Sequence, residues 1–283
     1  LVAETGKSLS TVKRIMESLQ KKDYIEKHKA QGRQMNLRAY GVPQNKTKSK
    51  KKDAKETVPN GNYLWINQFA TALNDTGRAA LVMANSASDA GNSEKDIRIK
   101  LIESGIISQM VTLPSNMFTS VTLPATLWFF DKAKVKKDEI LFIDARNIFI
   151  QIDRAHRKFS DEQIRNLGII TRLYEGKTEE FEALLAEYRA KLADAPKLSD
   201  DEDIMPKSYW QSNIDWLTER FPEGKYRDVV GLCKIANIED EDGIKDQDYS
   251  LNPGRYVGVV IEDDGLTQEE FKERMMAYYT ALS

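Results

Sequence analysis

Apolar positions between residues 60 and 145 alternate between helical spacing and short continuous runs. Residues 63–73 predict a helix in which Leu64, Phe69 and Leu73 are apolar among polar neighbours. Residues 79–84 form a continuous apolar run, which is typical of a central strand buried on both faces. Residues 94–103 predict a second helix, whose inward-facing apolar side chains are Ile97, Leu101 and Ile102. Gly105 is expected to end this helix.

Three further strands are expected at residues 110–113, 125–130 and 140–143, because each is a short apolar run. Strands that alternate with helices predict a layered α/β domain. A capping box of Ser160 and Gln163, with a hydrophobic staple of Phe159 and Ile164, predicts the start of a later helix. A charged helix at 178–192 and an acidic loop at 196–206 are expected next. Near the C-terminus, Thr267 and Glu270 form a second capping box, and Leu266 and Phe271 form its hydrophobic staple.

Residues 1–41 follow a different pattern. A turn at residues 4–8 precedes one apolar helical stripe, and a strand and a hairpin turn follow it; the stripe is Val12, Ile15, Met16 and Leu19. This order of elements over residues 2–38 resembles a winged helix-turn-helix that lacks its first helix. The chain also opens on Leu1 in what reads as mid-helix, so we expect its natural start to lie upstream.

The polar face of this N-terminal helix carries the candidate DNA contacts. In a winged helix the corresponding helix enters the major groove, where Arg and Lys reach guanine edges or phosphates. The alternative is an amphipathic helix with an ordinary solvated face. The candidates are Ser10, Thr11, Lys13, Arg14 and, in the hairpin, Arg33. Residues 42–59 are Lys-rich and predict a mobile linker, which either adds phosphate contacts or serves only as a soluble tether.

Composition narrows the class of protein. The chain has 283 residues, is 41% hydrophobic and 30% charged, and carries a net charge of −2. It can therefore form a real core, but nucleic-acid binding would need a local basic patch. Cys233 is the single cysteine, which excludes an intramolecular disulfide, and its apolar neighbours predict a buried packing residue. The sequence contains no apolar run long enough to span a membrane, and we expect a cytoplasmic protein.

Metal and nucleophilic chemistry have no support in the sequence. His28 and His156 stand alone, without other ligands at metal-binding spacing, and no Ser-His-Asp arrangement is apparent. We therefore expect no metal site.

Four sequence blocks carry a family resemblance. In order, they are "NGNYLWINQFATALNDTGRAALVMAN", "IRIKLIESGIISQMVTLPSNMFTSVTLPATLWFFDK", "EILFIDARN" and "DYSLNPGRYVG". Together they resemble the C-terminal part of the modification subunit of type I restriction–modification systems. The resemblance implies methyl transfer from S-adenosylmethionine to adenine N6 in double-stranded DNA, after the base is flipped out of the duplex. It also implies a specificity subunit and a restriction subunit as partners.

The chain departs from the family pattern in two motifs. The family binds the methyl donor at a Phe-x-Gly-x-Gly turn and holds the target amino group with Asn-Pro-Pro-Phe (or Tyr), and neither occurs in this sequence. Both are expected upstream of Asn60. No catalytic or cofactor-binding residue is therefore assigned, and the chain alone is expected to bind no S-adenosylmethionine and to be inactive. A separate N-terminal methyltransferase half is a further expected partner.

The resulting domain organisation has four parts. They are a winged-helix-like segment (1–41), a linker (42–59), the C-terminal half of an N6-adenine methyltransferase domain (60–155) and a helical C-terminal extension (156–283). The predicted fold class is α/β, with a partial Rossmann-like methyltransferase sheet preceded by a small α+β segment. The alternative function is a non-catalytic DNA-binding regulator or assembly module, built on a degenerate methyltransferase half.

The remaining candidate site residues leave alternatives open. Phe118 lies in a loop that the family places near the flipped adenine, where it either stacks on the base or packs on the sheet edge. Asp144 and Arg146 form either a structural ion pair or a partner contact. Arg255 and Tyr256 contact DNA or the specificity subunit, or else the preceding turn simply lets the tail lie back on the body.

Overall fold

The structure is a computed structural model that describes residues 61–118, 122–198, 204–260, 269 and 272–276. The winged-helix-like segment, its DNA-binding candidates and the linker lie outside these residues. The second capping box near the C-terminus does so as well.

Seven strands are present in the described part of the chain. They are β1 (Arg78–Ala84), β2 (Ile107–Thr112), β3 (Ala125–Asp131), β4 (Glu139–Asp144), β5 (Ile150–Gln151), β6 (Arg157–Lys158) and β7 (Cys233–Asn237). Five form one sheet in the order β1-β3-β2-β4-β7, while β5 and β6 form a separate hairpin. Strands β2 and β4 pair in parallel and all other neighbours pair antiparallel. Consequently β1, β2 and β4 run in the same direction and end at one side of the sheet, called the carboxyl edge below.

Helices cover both faces of this sheet. They are α1 (Gly61–Ala72), α2 (Asn92–Glu103), α3 (Asp161–Tyr174), α4 (Thr178–Asp194) and α5 (Lys207–Arg220). Side chains of alternate strand residues point to opposite faces of the sheet and pack in two separate hydrophobic cores. Trp128 and Phe142 pack with α1 and α2, whereas Leu141 and Ile143 pack with α3, α4 and α5. This three-layer arrangement confirms the predicted α/β class, because strand side chains alternate between faces.

Local sequence explains where the helices begin and end. The α3 capping box is confirmed: the Ser160 hydroxyl accepts from the Gln163 amide at 3.0 Å, and the Gln163 side chain accepts from the Ser160 amide at 3.0 Å. After α2, Gly105 has a φ of 66°, a conformation that glycine adopts without strain. A side chain there would also collide with Lys137. The helices predicted at 63–73, 94–103 and 178–192, the helix predicted after Ser160, and the strands β2 to β4 are confirmed within a few residues.

Strand β1 differs from its prediction. The apolar run was expected to be a buried central strand, but Val82 is 52% exposed and β1 pairs only with β3 in the described residues. Burial on both faces is therefore wrong for this strand here, because it lies at the edge of the sheet. Helix α5 and strand β7 were not predicted from the sequence. The α5 signal was present, since Trp210, Ile214 and Leu217 follow helical spacing and are buried.

The C-terminal tail lies back on the sheet. A 3₁₀ turn at Pro253–Arg255 follows Asn252, whose side chain accepts from the Gly254 amide at 3.3 Å. Leu251 and Tyr256 then enter the core formed with α1 and α2. Cys233, at the start of β7, is fully buried in the opposite core, which confirms its prediction as a packing residue.

Candidate functional site

The carboxyl edge gathers the segments that follow the parallel strands. Asn85 follows β1, the loop 113–118 follows β2, and Arg146 and the β5–β6 hairpin follow β4. In open α/β sheets, ligands bind outside the carboxyl ends of the strands. The carboxyl edge is therefore the place at which candidate contacts converge.

Phe118 lies on the loop after β2 and is 40% exposed. The loop is shaped by Asn116, whose φ of 62° is in the left-handed region and whose amide donates to the Thr122 carbonyl at 3.3 Å. At its base, the Leu113 amide donates to the Ala125 carbonyl at 2.8 Å. The ring is thus at the surface of the carboxyl edge, while its stacking on a base stays a prediction.

Arg157 in β6 holds the β5–β6 hairpin against this loop. Its amide donates to the Asn116 carbonyl at 2.9 Å, and its guanidinium donates to the Ser115 hydroxyl at 3.0 Å. The same guanidinium stands over the Phe149 ring, 3.9 Å from the centroid, and donates to the Gln151 side chain at 3.0 Å. Arg157 was not predicted from the sequence, because a strand of two residues has no apolar periodicity.

The hairpin itself is basic. Arg154 and Lys158 are exposed, and no ion pair joins either to another residue in the described ranges. Asp153 is the one carboxylate of residues 146–158, and both its oxygens lie within 2.9 Å of His156 Nδ1. This hydrogen bond and one from the Ala155 amide hold the pKa of Asp153 below its usual range.

Asp144 and Arg146 form an ion pair at the end of β4. Arg146 Nε lies 2.9 Å from both carboxylate oxygens, and Nη2 lies 2.5 Å from Oδ2. The hydrogen bonds to Asp144 raise the pKa of Arg146. The guanidinium also covers Gly254, where an added Cβ would lie 2.7 Å from Nη2. The structural reading of this pair therefore matches the geometry, since it joins β4 to the tail.

Arg255 and Tyr256 have different environments. The Arg255 side chain is 51% exposed, with Nε 3.6 Å from Asp89, so it faces outward at the carboxyl edge. Tyr256 is 5% exposed, its hydroxyl donates to the Ser250 carbonyl at 2.5 Å, and burial raises its pKa. Tyr256 is a core residue in the described structure, as expected if the turn lets the tail lie back on the body. A contact by Arg255 stays a prediction.

The polar side chains of the described carboxyl edge are largely bonded to one another. The carboxylates at the carboxyl edge are already engaged: Asp144 by Arg146, and Asp89 by the side chains of Ser250 and Asn252. Asn85 is likewise bonded, accepting from the Thr126 hydroxyl at 2.7 Å. No glycine-rich turn follows β1, β2 or β4. Within the same residues, no group of three or more His, Cys, Asp or Glu side chains is placed to hold a metal ion.

A second surface lies beside β1. An apolar groove of about 1020 Å³ runs between the sheet and α3, lined chiefly by Ala80, Leu127, Phe129, Ile164 and Leu167. Arg78 stands at one end, with Nε 2.8 Å from Asp131. This β1 groove is continuous with the edge of β1 opposite β3, since Arg78, Ala79 and Ala80 line the groove and belong to β1.

These features define an α/β protein with a mixed sheet, whose first strand has one neighbour, β3, among the described residues. A family model described as N-6 DNA Methylase matches residues 36–202, which is more than half of the chain. The chain belongs to the N-6 DNA methylase family. The match begins inside the segment predicted to be winged-helix-like and runs through the predicted linker.

Individual relatives agree with the family. The chain is 32% identical over 224 residues to the type I restriction enzyme MjaIX methylase subunit of Methanocaldococcus jannaschii, covering 78% of this chain and 31% of the relative. It is 32% identical over 220 residues to the HindI methylase subunit of Haemophilus influenzae, covering 77% of this chain and 39% of the relative. The chain thus spans about a third of the length of these relatives.

A solved structure is also similar. It is the methyltransferase subunit of a type I restriction-modification system from Streptococcus thermophilus, with 21% identity and a TM-score of 0.45 over 71% of this chain and 31% of that one. Finally, no helix in the described ranges is long and apolar enough to cross a membrane.

Proposed function

We propose that this chain supplies the C-terminal part of a type I modification subunit, which transfers a methyl group from S-adenosylmethionine to adenine N6 in duplex DNA. The observation that carries the proposal is the edge of β1 opposite β3, which pairs with no strand among the described residues, in a chain that spans about a third of the relatives it matches. An apolar strand at the edge of a sheet presents unpaired backbone N–H and C=O groups with which a further strand can pair.

The hydrogen-bond pattern identifies which groups of β1 are free for that strand. The Gly77 carbonyl accepts from the Lys132 amide at 3.1 Å, so every second residue after Gly77 pairs with β3. The backbone groups of Ala80 and Val82 therefore point away from β3. They lie beside the β1 groove, whose apolar lining offers packing for an element that follows the added strand.

The proposed partner is the N-terminal methyltransferase half, which in the family carries the donor-binding turn and the Asn-Pro-Pro-Phe element. This chain alone then binds no S-adenosylmethionine and methylates nothing. Double-stranded DNA, the specificity subunit and the restriction subunit are the further proposed partners of the complete assembly. Within residues 1–41, Lys13, Arg14 and Arg33 are proposed to add DNA contacts, together with Ser10 and Thr11.

Complementation tests the proposal. The chain is co-expressed with the N-terminal half of a family modification subunit and a specificity subunit, and transfer of labelled methyl groups to duplex DNA is measured. We expect a soluble complex that methylates adenine. If the added half neither binds nor gives methylation, the enzymatic reading fails and the non-catalytic DNA-binding or assembly module stands instead.

A matched pair of variants links this activity to β1. Val82→Pro removes an outward N–H without removing a bond to β3, so it should block the added strand and abolish methylation. Val82→Thr keeps the N–H and the strand preference, and it should methylate like the wild type. Equal activity of the two variants would mean that no strand pairs with β1.

A further inference from the structure

The β5–β6 hairpin carries exposed basic side chains at the carboxyl edge. Residues 150–158 contain three Arg or Lys side chains, Arg154, Arg157 and Lys158, and one carboxylate, in a chain whose net charge is −2. Asp153 interacts with His156 and with the Ala155 amide, both within the hairpin. The charges of Arg154 and Lys158 are consequently not neutralised by an ion pair in the described part of the chain.

Arg157 connects this positive surface to the loop that carries Phe118. Two hydrogen bonds, to the Asn116 carbonyl and to the Ser115 hydroxyl, cross 41 or more positions of sequence to fix the hairpin on the loop. Stacking on Phe149 fixes the plane of the guanidinium. The hairpin and the exposed Phe118 ring therefore form one surface rather than two independent ones.

We propose that the β5–β6 hairpin is a DNA-backbone contact, in which Arg154 and Lys158 bind phosphates while Arg157 positions the loop that bears Phe118. The proposal deepens the proposed function and rests on it, since the DNA would be the methylation substrate. Exposed cations without ion-pair partners fit phosphates, because binding releases counterions without first breaking an internal pair. These contacts fix the position of the duplex and leave sequence reading to other groups.

A protein surface is the competing occupant. Ile150 and Ile152 are 37% and 57% exposed on the same hairpin, and such side chains also occur in subunit contacts. DNA is favoured because the two exposed cations outnumber the single carboxylate of the hairpin, and because Arg157 bonds the hairpin to the loop that carries the exposed Phe118 ring. A protein interface is treated as an outcome that overturns the proposal.

The salt dependence of duplex binding tests the phosphate contacts. Binding of the full chain to a fluorescent 20-base-pair duplex is measured by anisotropy at several salt concentrations. Arg154→Ala/Lys158→Ala should weaken binding roughly tenfold near 0.1 M salt and lower the slope of log K against log salt by about 1.8, or about 0.9 for each phosphate. Circular dichroism checks that the variant is folded.

Lys100→Ala/Lys137→Ala is the matched control. It removes the same charge from exposed lysines near the opposite ends of β2 and β4, in the last turn of α2 and just before β4. This control should retain the wild-type salt slope. Equal losses in the two double variants, or no duplex binding by the wild-type chain at low salt, would overturn the proposal.

The positioning role of Arg157 needs a different readout. Arg157→Lys keeps the charge but loses the planar group that bonds Ser115 and stacks on Phe149. Hydrogen exchange of residues 113–118 should become faster in this variant, while the salt slope stays close to the wild-type value. Unchanged exchange would remove Arg157 from this role.

The complemented complex separates failure of this proposal from failure of the proposed function. If wild-type complex methylates DNA but Arg154→Ala/Lys158→Ala changes neither the KM for DNA nor the salt slope, the hairpin proposal fails alone. If complementation gives no methylation, duplex binding by the chain still decides the hairpin. Loss of specificity-subunit binding with unchanged duplex binding would assign the hairpin to a protein interface and overturn the proposal.

Discussion

The Tyr256 ring stacks on the Phe142 ring, with centroids 3.9 Å apart and planes 14° apart. Phe142 lies in the middle of β4, whereas Tyr256 follows the turn at Pro253–Arg255 in the tail. The stack therefore anchors the tail on the sheet and leaves Arg255 at the carboxyl edge. The sequence left this motif between a surface contact and packing; in the structure Tyr256 is packed in the core and Arg255 is exposed.

Two substitutions at Tyr256 should distinguish the contribution of the ring to stability from that of the hydroxyl. Tyr256→Ala should lower the free energy of unfolding by about 3–5 kcal/mol, because it removes a buried aromatic ring. Tyr256→Phe keeps the stack and loses only the bond to the Ser250 carbonyl, so it should cost about 1 kcal/mol. Urea denaturation measures both, and similar small losses for the two variants would contradict the packing role.

Replacement of Arg98 should lower the free energy of unfolding, because this arginine is buried. It is 2% exposed and donates to the Tyr249 carbonyl at 2.7 Å, the Ala90 carbonyl at 2.5 Å and the Tyr63 hydroxyl at 3.1 Å. Arg98→Met leaves these acceptors buried without a donor, so we expect a loss of at least about 3 kcal/mol.

Arg189→Met provides the control for Arg98. Arg189 is exposed on α4, so its replacement should change the free energy of unfolding by no more than about 0.5 kcal/mol. Urea denaturation of both variants makes the comparison. Comparable stabilities would show that Arg98 does not bridge α2 to the tail.

Cys233 should be unreactive in the folded protein. Burial raises the pKa of its thiol to about 12, and the thiolate is the reactive species. We expect a disulfide reagent at pH 8 to label the native chain slowly and the urea-unfolded chain at once. Rapid stoichiometric labelling without denaturant would place β7 outside the core.

Lys134 should make stability depend on pH in the alkaline range. Burial lowers the pKa of its amine to about 8, although Glu139 opposes the shift, and its Nζ donates to the Ile107 carbonyl at 2.8 Å. The unfolded chain binds more protons than the folded chain between about pH 8 and the ordinary lysine pKa of about 10.4. The free energy of unfolding should therefore rise through this window.

Lys134→Met isolates this effect from other groups that titrate at high pH. The wild-type free energy of unfolding, measured relative to Lys134→Met, should increase from pH 8 to pH 10 and stay level between pH 6 and pH 7. A relative stability that falls over the alkaline range would mean that the charged form is preferred in the folded protein.

The elements that could be predicted are those in which apolar residues recur at regular spacing along the sequence. Strands β2 to β4 and helices α2 and α3 follow from apolar runs and capping residues, because local spacing decides them. The exposure of Val82 could not be predicted in the same way. An apolar run indicates that a strand forms, but it does not indicate whether the strand lies in the middle or at the edge of the sheet. The same limit applies to β7, which is short and gains its place from pairing with β4.

The candidate site was predicted only in its loop residues. Phe118, Arg146 and Arg255 were identified from their motifs and all reach the carboxyl edge. Arg157 was not, because its role depends on Ser115 and Asn116, which are distant in sequence and become neighbours only when β2 and β4 pair. Long-range pairing, rather than residue type, defines that part of the surface.

Hydrogen exchange at single-amide resolution in β1 tests the central claim most directly, with and without the N-terminal methyltransferase half. In the chain alone, the Leu81 and Met83 amides should be protected by β3, while the Ala80 and Val82 amides should exchange quickly. Addition of the half should slow Ala80 and Val82 by several orders of magnitude and leave Leu81 largely unchanged. If the half binds but Ala80 and Val82 still exchange quickly, no strand completes this sheet at β1 and the account is contradicted.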